Sequence, residues 1–379
     1  MDRWLNRDAA LDALGIRPQT LYAYVSRGLL GASPDPDDPR RSLYSAEDVA
    51  ALANRRKRAR SRSAVATGSI AWGDPVLETA ISTVARGRLL YRGEDAAELA
   101  RHATFEQAAS LLIGQAVRAD AEPGAGTRPE PGLPALFVQL ARAGATTRST
   151  LGRSAASLAR EAALLVPAVA APLGAVAPGP IHESFARLWQ RPAASDPIRR
   201  ALVLMADHEL NASTFAARVA ASTGASLSAC LLAGLATLSG PYHGAATNAV
   251  RGLIADADKQ GAAKAIDAHL AANPHLPGFG HPLYIGIDVR AEALLASFDL
   301  PAPLTDLLHV AQEETGSAPN IDFATVALSL AFDLPVDAPL SLFAAARSAG
   351  WLAHAIEQAG ERKLIRPRAR YIGKLPQAM

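Results

Sequence analysis

The residues of this chain that could do chemistry are three histidines with unusual neighbours, one aspartate heading an apolar helix, and two arginines in apolar surroundings. The segment "PGFGHPLYIGIDVRA", residues 277–291, sets His281 behind Pro277, Gly278, Phe279 and Gly280, with Arg290 nine positions further on. Glycines let backbone approach a ligand closely, and a guanidinium offers the planar fork that carboxylates prefer, so this pair points to anion binding. His243, in "LSGPYHGAATNAV", stands just before a helix start. Backbone N–H groups there oppose protonation, and a neutral imidazole can donate a hydrogen bond to a carbonyl; a capping or purely structural histidine is the alternative. His208 lies in "LVLMADHELNASTFAARVAASTG", where Asp207, His208, Glu209, Asn211 and Ser213 interrupt an apolar stretch. That is either a ligand site or a helix end with its caps. No second ligand at helical spacing and no H-E-x-x-H motif calls for a metal. Asp322, in "GSAPNIDFATVALSLAF", is either a helix N-cap or a general base. Arg347 interrupts the apolar helix "LSLFAAARSAGWLAHAIEQ", and an inward-facing arginine needs an anionic partner such as a substrate carboxylate. His102, His269, His309 and His354 read as ordinary surface or helix residues; His182 and His275 stay ambiguous.

These groups are the parts needed to enolise one carbonyl compound and add it to a polyanionic second one. No P-loop, dinucleotide fingerprint or nucleophilic cysteine motif competes. Cys230, the one cysteine, sits in an apolar run and cannot form an internal disulfide, which fits a reducing, cytoplasmic setting. The N-terminus has no signal-peptide core. Residues 162–181 carry no charge, but Pro167, Pro172, Pro178 and Pro180 interrupt them, so a buried helix ending in a loop is expected rather than a membrane span.

The elements that must hold the site are helical. After a small hairpin turning at Arg86–Gly87, one helix is expected to run from Asp95 to Gly114, then a Pro/Gly/Ala-rich loop over 115–134. Ala/Leu-rich helices follow at about 135–145, 150–172, 181–191, 196–210, 212–223, 225–238, 244–257, 260–272, 289–297, 301–315, 321–332 and 339–359, from the spacing of apolar residues. No βαβ alternation appears, and the body reads as all-α.

Residues 1–62 read as a separate unit of twelve Lys/Arg and eight Asp/Glu, +4 within a chain of +2. Two short helices around Gly15–Ile16, a possible wing at "SPDPDDPRRSLY", and a helix capped by Ser45 and Asp48 follow a helix-turn-helix pattern. The unit resembles winged helix-turn-helix domains of the MerR and excisionase kind. That resemblance implies DNA contacts from Thr20, Tyr22, Tyr24 and Arg27, and the basic run 55–62 either grips phosphate or is a solvated linker.

Seven ordered motifs from about Ser69 to Gly373, "GRLLYRGEDAAELA", "ADHELNASTFAARVAASTG", "GPYHGAATNAV", "GFGHPLYIGIDVRA", "NIDFA", "ARSAGWLAHAIEQ" and "LIRPRARYIG", together resemble citrate synthase. The resemblance implies that Asp322 removes the acetyl-CoA methyl proton, His243 holds the thioester oxygen, and His281 polarises the oxaloacetate carbonyl. His208, Arg290 and Arg347 would bind oxaloacetate, and Arg366 would reach across a homodimer interface. Pro277, Gly278, Phe279 and Gly280 would approach coenzyme A. Neither metal nor cofactor is implied, acetyl-CoA being a substrate. The expected domains are 1–62, a large helical domain of 69–239 plus 340–379, and a small one of 240–339 that closes over substrate. A 2-methylcitrate synthase using propionyl-CoA, or a DNA-binding regulator with this body as sensor, are the alternatives. The sequence departs from the family's pattern at Ala245, Thr247 and Asn248. It also departs at Pro282–Ile285, where basic residues commonly help hold coenzyme A phosphates.

Overall fold

The computed structural model describes residues 4–16, 18–26, 30–35, 38, 41–46, 48–50, 52, 77–118, 131–175, 178–273, 275–284, 286–369 and 371–373. The chain divides into two compact units, residues 79–367 and residues 1–78 with 368–379.

In the unit containing the N-terminus, β1 (Trp4–Leu5), α1 (Arg7–Leu14), α2 (Pro18–Ser26), β2 (Ala32–Pro34) and β3 (Ser42–Ser45) surround a small core of Ala10, Leu14, Leu21, Leu30, Tyr44 and Val49. The strands form an antiparallel sheet in the order β1-β3-β2. Asn6 caps α1 by accepting from the Ala9 N–H, and Gly15 ends it in the left-handed region. Of the residues expected to touch DNA, Tyr22 is exposed and Thr20 half-buried, while Tyr24 packs against the core. Arg27 and the run 55–62 lie outside the described residues.

The second unit begins with an antiparallel sheet of β4 (Ser82–Ala85), β5 (Arg88–Tyr91) and β6 (Glu94–Asp95), turning at Arg86–Gly87 as expected. The two small sheets qualify the all-α expectation. The helix expected over 95–114 is two, α3 (Ala96–His102) and α4 (Phe105–Ile113). Thr104 and Gln107 form a reciprocal capping box that starts a new helix there. Then come α5 (Leu133–Thr146), α6 (Ala155–Ala170), α7 (Ile181–Leu188), α8 (Ser195–Leu204), α9 (Ala212–Ser222), α10 (Leu227–Leu238), α11 (Thr247–Gln260), α12 (Ala262–Ala272), α13 (Val289–Leu295), α14 (Ala302–Thr315), α15 (Ile321–Ala331) and α16 (Ala338–Glu361). Among the described residues, residues 155–173 are long and apolar enough to cross a membrane, and half of that stretch is packed inside.

Two hydrophobic clusters organise these helices. The larger gathers β5, α3–α10 and α13 around α16, and the smaller gathers α11, α12, α14 and part of α15. α15 serves both: Ile321, Ala324 and Leu328 face the larger cluster, whereas Phe323, Val326 and Ala327 face the smaller. These sets follow helical spacing, so a wholly apolar helix becomes the seam between two cores. Asp322 stands at its first turn.

The helix expected over 196–210 stops at Leu204. Tertiary partners win there. The Tyr91 hydroxyl meets the carbonyls of Val203, Leu204 and Asp207 at 3.0, 3.1 and 3.2 Å, groups that would otherwise seek partners in a further turn. Beyond it, the Ala206 carbonyl accepts from the Gly350 N–H of α16 at 3.1 Å. A Cβ at position 350 would lie 2.1 Å from Asp207 Oδ1 and 2.7 Å from the Ala206 carbonyl. Gly350→Ala is therefore expected to push residues 206–208 off α16. It should cost about 1–3 kcal/mol in thermal unfolding. An unchanged melting temperature would contradict this.

Candidate active site

Six elements converge on the seam. His208 follows α8, His243 follows α10, and His281 lies in the loop after α12. Arg290 is in the first turn of α13, Asp322 in that of α15, and Arg347 in mid-α16. The His281 loop and the start of α15 are stapled together. Gly280 N–H donates to Ala318 O at 2.8 Å, Asn320 N–H to Gly278 O at 2.8 Å, and Asn320 Nδ2 to Gly280 O at 3.0 Å. Gly278 and Gly280 adopt φ of 84° and 71°, which the loop needs in order to run against residues 318–320. The Phe279 ring packs into the smaller cluster against Phe323, so only its backbone is left to face a ligand.

Asn320 caps α15, accepting from the N–H groups of Asp322 and Phe323. The cap is thus Asn320, and the Asp322 carboxyl is left for other work. Burial and the Asp288 charge raise its pKa to about 6, while Arg290 and Arg347 hold it down.

The two arginines differ from each other. Arg290 is 2% exposed, and Asp288 takes its Nε at 2.9 Å and its Nη2 at 2.7 Å. Its fork is therefore largely engaged inside the protein, contrary to the expectation of a fork presented to a ligand; Nη1 is the edge that Asp288 does not take. Asp288 Oδ2 also accepts the Ile321 N–H at 3.1 Å, tying Arg290 to the base of α15. Arg347 is 1% exposed, donates Nε to Met205 O at 2.9 Å, and lies over the Phe343 ring at 4.7 Å. Its Nη2 is buried without a hydrogen-bond partner. Burial lowers its pKa to about 10 even with Asp207 nearby.

The imidazoles are neutral. Burial and then Arg347 bring His243 to about 4; burial and then Arg290 bring His281 to about 4. Burial also holds His208 well below its ordinary value, helped by Arg290, Arg347, His281 and His243, all within electrostatic reach. The His208 and His281 rings meet edge to face with centroids 5.0 Å apart. Leu283 N–H donates to His281 Nδ1 at 3.2 Å, so the His281 proton sits on Nε2. His243 Nε2 lies 2.8 Å from Ser213 Oγ, which receives the Trp351 Nε1–H at 3.1 Å and lies 2.7 Å from Asn211 Oδ1. Ser213 has one hydroxyl proton: donated to Asn211 Oδ1, it leaves the His243 proton on Nε2, and turned to His243 Nε2 it puts that proton on Nδ1, the arrangement in which His243 can donate away from Ser213.

Sequence reasoning missed Asp288, Tyr284 and His354 as supporting residues, and singled out Ser213 and Asp207 only as part of the polar stretch around His208. His354 is fully buried, with Nε2 3.1 Å from Asp207 Oδ2, and is no surface residue. Ser82 Oγ reaches the same oxygen at 2.5 Å, and Val84 N–H is held by Glu209, which fixes the His208 loop to β4. Arg366 is exposed beyond α16 and joins none of these contacts within its own chain. Among the described residues, no three His, Cys, Asp or Glu side chains are grouped to hold a metal. Cys230 is buried on α10, and burial raises its thiol to about 12, which makes it unreactive.

A neutral donor pair, an unpaired buried cation and a raised carboxylate at one seam suit binding of a carbonyl-containing anion and proton transfer beside it. Residues 142–368 match the family described as citrate synthase, C-terminal domain. The chain belongs to the citrate synthase family. It is 35% identical to citrate synthase of Haloferax volcanii over 189 residues, 46% of this chain and 49% of that protein. It is 34% identical to 2-methylcitrate synthase 1 of Corynebacterium glutamicum over 194 residues, 48% of this chain and 51% of that one. The chain spans about half the length of the curated relatives it matches. In structure it resembles citrate synthase from Pyrobaculum aerophilum at 27% identity and a TM-score of 0.68, covering 81% of this chain and 93% of that one. The six converging segments belong to the stretch matched by the citrate synthase family.

Proposed function

We propose that the chain condenses acetyl-CoA with oxaloacetate and hydrolyses the product to citrate and coenzyme A. The observation that carries the proposal is Arg347, a buried guanidinium whose Nη2 has no partner, beside neutral histidines and the raised Asp322 carboxyl. An isolated buried cation is costly, and an anionic substrate would offset it.

Oxaloacetate would place its carboxylates on Arg347 and on the Nη1 edge of Arg290, with His208 alongside. His281 Nε2–H would donate to its carbonyl oxygen. Asp322 would take a proton from the acetyl methyl group, while His243 donates from Nδ1 to the thioester oxygen, where negative charge grows. The enolate carbon then bonds to the oxaloacetate carbonyl carbon, and the His281 Nε2–H would hold the new alkoxide, which the proton taken up by Asp322 neutralises. Water finally cleaves the citryl thioester and coenzyme A leaves as the thiol. The backbone of Pro277–Gly280 would line the coenzyme. A closing motion of 240–339 against 69–239 plus 340–379 would keep water out until condensation is complete, and the two separate clusters favour it.

A homodimer completes the proposal, with Arg366 reaching the neighbouring subunit's site. Val138 and Leu164, 50% and 70% exposed on α5 and α6, are apolar positions that a second copy would cover. Thiol release on mixing oxaloacetate with acetyl-CoA tests the function; no release from folded protein would reject it. Substituting propionyl-CoA in the same assay separates the 2-methylcitrate alternative.

A second reading concerns residues 1–62. The succession α1, Gly15, α2 and an antiparallel strand pair favours a winged helix-turn-helix that binds DNA, with the body as sensor. Retardation of DNA from upstream of the gene, weakening steeply with salt and changing with citrate, would support it. Absent or salt-insensitive binding would count against it.

A further inference from the structure

A neutral imidazole donates from one nitrogen only, so a site that needs two histidine donors must fix two tautomers. His281 is fixed by the Leu283 N–H. The next residue, Tyr284, is 5% exposed and places its hydroxyl 3.0 Å from His208 Nε2. Its ring lies 5.7 Å from His208, 5.2 Å from His281 and 5.5 Å from the Arg290 guanidinium. We propose that Tyr284 is a positioning residue that donates its O–H to His208 Nε2, fixing the His208 proton on Nδ1 as the donor to a substrate carboxylate. The assignment of that donor to oxaloacetate rests on the proposed function; the hydrogen-bond direction does not.

The direction follows from satisfaction of polar groups. Burial pushes the phenol up to about 12, so it keeps its proton. That proton needs an acceptor, and His208 Nε2 is the phenol's one hydrogen-bond partner among the described residues. Were His208 the donor, the buried O–H would go unpaired, a loss of about 1–3 kcal/mol. An imidazole nitrogen is also a better acceptor than a phenol oxygen. Two consecutive residues, Leu283 and Tyr284, would then set both histidines of the facing pair. This gives a role to a stretch that departs from the family's basic pattern at these positions.

The test reads the tautomer directly. Protein labelled with ¹⁵N-histidine is expected to show His208 with Nε2 unprotonated and Nδ1 protonated, the signal being assigned by its loss in His208→Gln. In Tyr284→Phe, which keeps the ring packing, the proton should redistribute toward Nε2. The KM for oxaloacetate should rise about tenfold, with kcat changing much less and the melting temperature little. A wild-type His208 protonated on Nε2 overturns the proposal whether or not the variant folds. So does a Tyr284→Phe protein with an unchanged tautomer. Absence of thiol release in the wild type would instead reject the catalytic function, and the tautomer spectra would still be readable.

Discussion

Asp322→Asn is expected to lower turnover by about three to four orders of magnitude, while oxaloacetate still binds. The amide is nearly the same size and can stay beside Asn320 and the Asp288 bridge, but it cannot accept the methyl proton. The pH profile of the unaltered protein should carry the same signature. In the proposed mechanism Asp322 must be ionised to act, and its pKa stands at about 6, whereas His243 and His281 stay neutral down to about 4. On the acid side kcat/KM should therefore fall with one proton, centred near pH 6, and steepen only near 4. Stability moves the opposite way. A carboxyl whose folded pKa lies above its unfolded value of 3.8 binds more protons folded than unfolded between about 4 and 6. Its contribution to stability is present at low pH and lost as pH rises through about 6. Above pH 7 the Asn variant should thus melt no lower than the parent. A variant that keeps its turnover would remove Asp322 from the mechanism.

The sequence made the site residues legible because each breaks a local rule. Arg347 stands in an apolar helix, His281 in a glycine turn and Asp322 at the head of a hydrophobic run, and all three reach the same seam. What stayed hidden was mostly partner choice. Arg290 looks like an offered fork in "IDVRA", yet Asp288 two residues earlier already takes two of its nitrogens. His354 looked ordinary, although it lies seven residues after Arg347 and so on the same helical face; that spacing could have predicted its burial. Helix boundaries failed where long-range bonds compete with the helix, as when Tyr91 meets the carbonyls that end α8. Period alone cannot foresee a hydroxyl arriving from more than a hundred residues away. The two cores were less visible still, because α15 is apolar on both faces and its sequence does not say which side meets which cluster.

Arg347→Met should make the protein more stable and the site nearly useless for oxaloacetate. The site lowers the guanidinium from 12.5 to about 10, chiefly through burial, so the folded state holds this cation at a disadvantage of about 3 kcal/mol relative to water. For a base with a depressed folded pKa, that disadvantage is fully present at neutral pH and is relieved only as pH rises past 10. A methionine fills similar volume without the charge. Against the gain stand one hydrogen bond to Met205 O and the contact with Phe343, together about 1–2 kcal/mol. The expected net is a modest rise in melting temperature. Binding responds in the other direction, because the unpartnered Nη2 is the group an anion would take. Leaving a substrate carboxylate buried and unpaired costs about 2–5 kcal/mol. The KM for oxaloacetate should rise on the order of a hundredfold or more. Thermal melts and steady-state kinetics on one preparation check both signs at once. A variant that melts lower and binds oxaloacetate as before would mean that Arg347 is a structural cation whose counter-charge is Asp207, not a substrate carboxylate. The two readings differ because the structure leaves Arg347 Nη2 and Asp207 Oδ1 each without a hydrogen bond instead of pairing them.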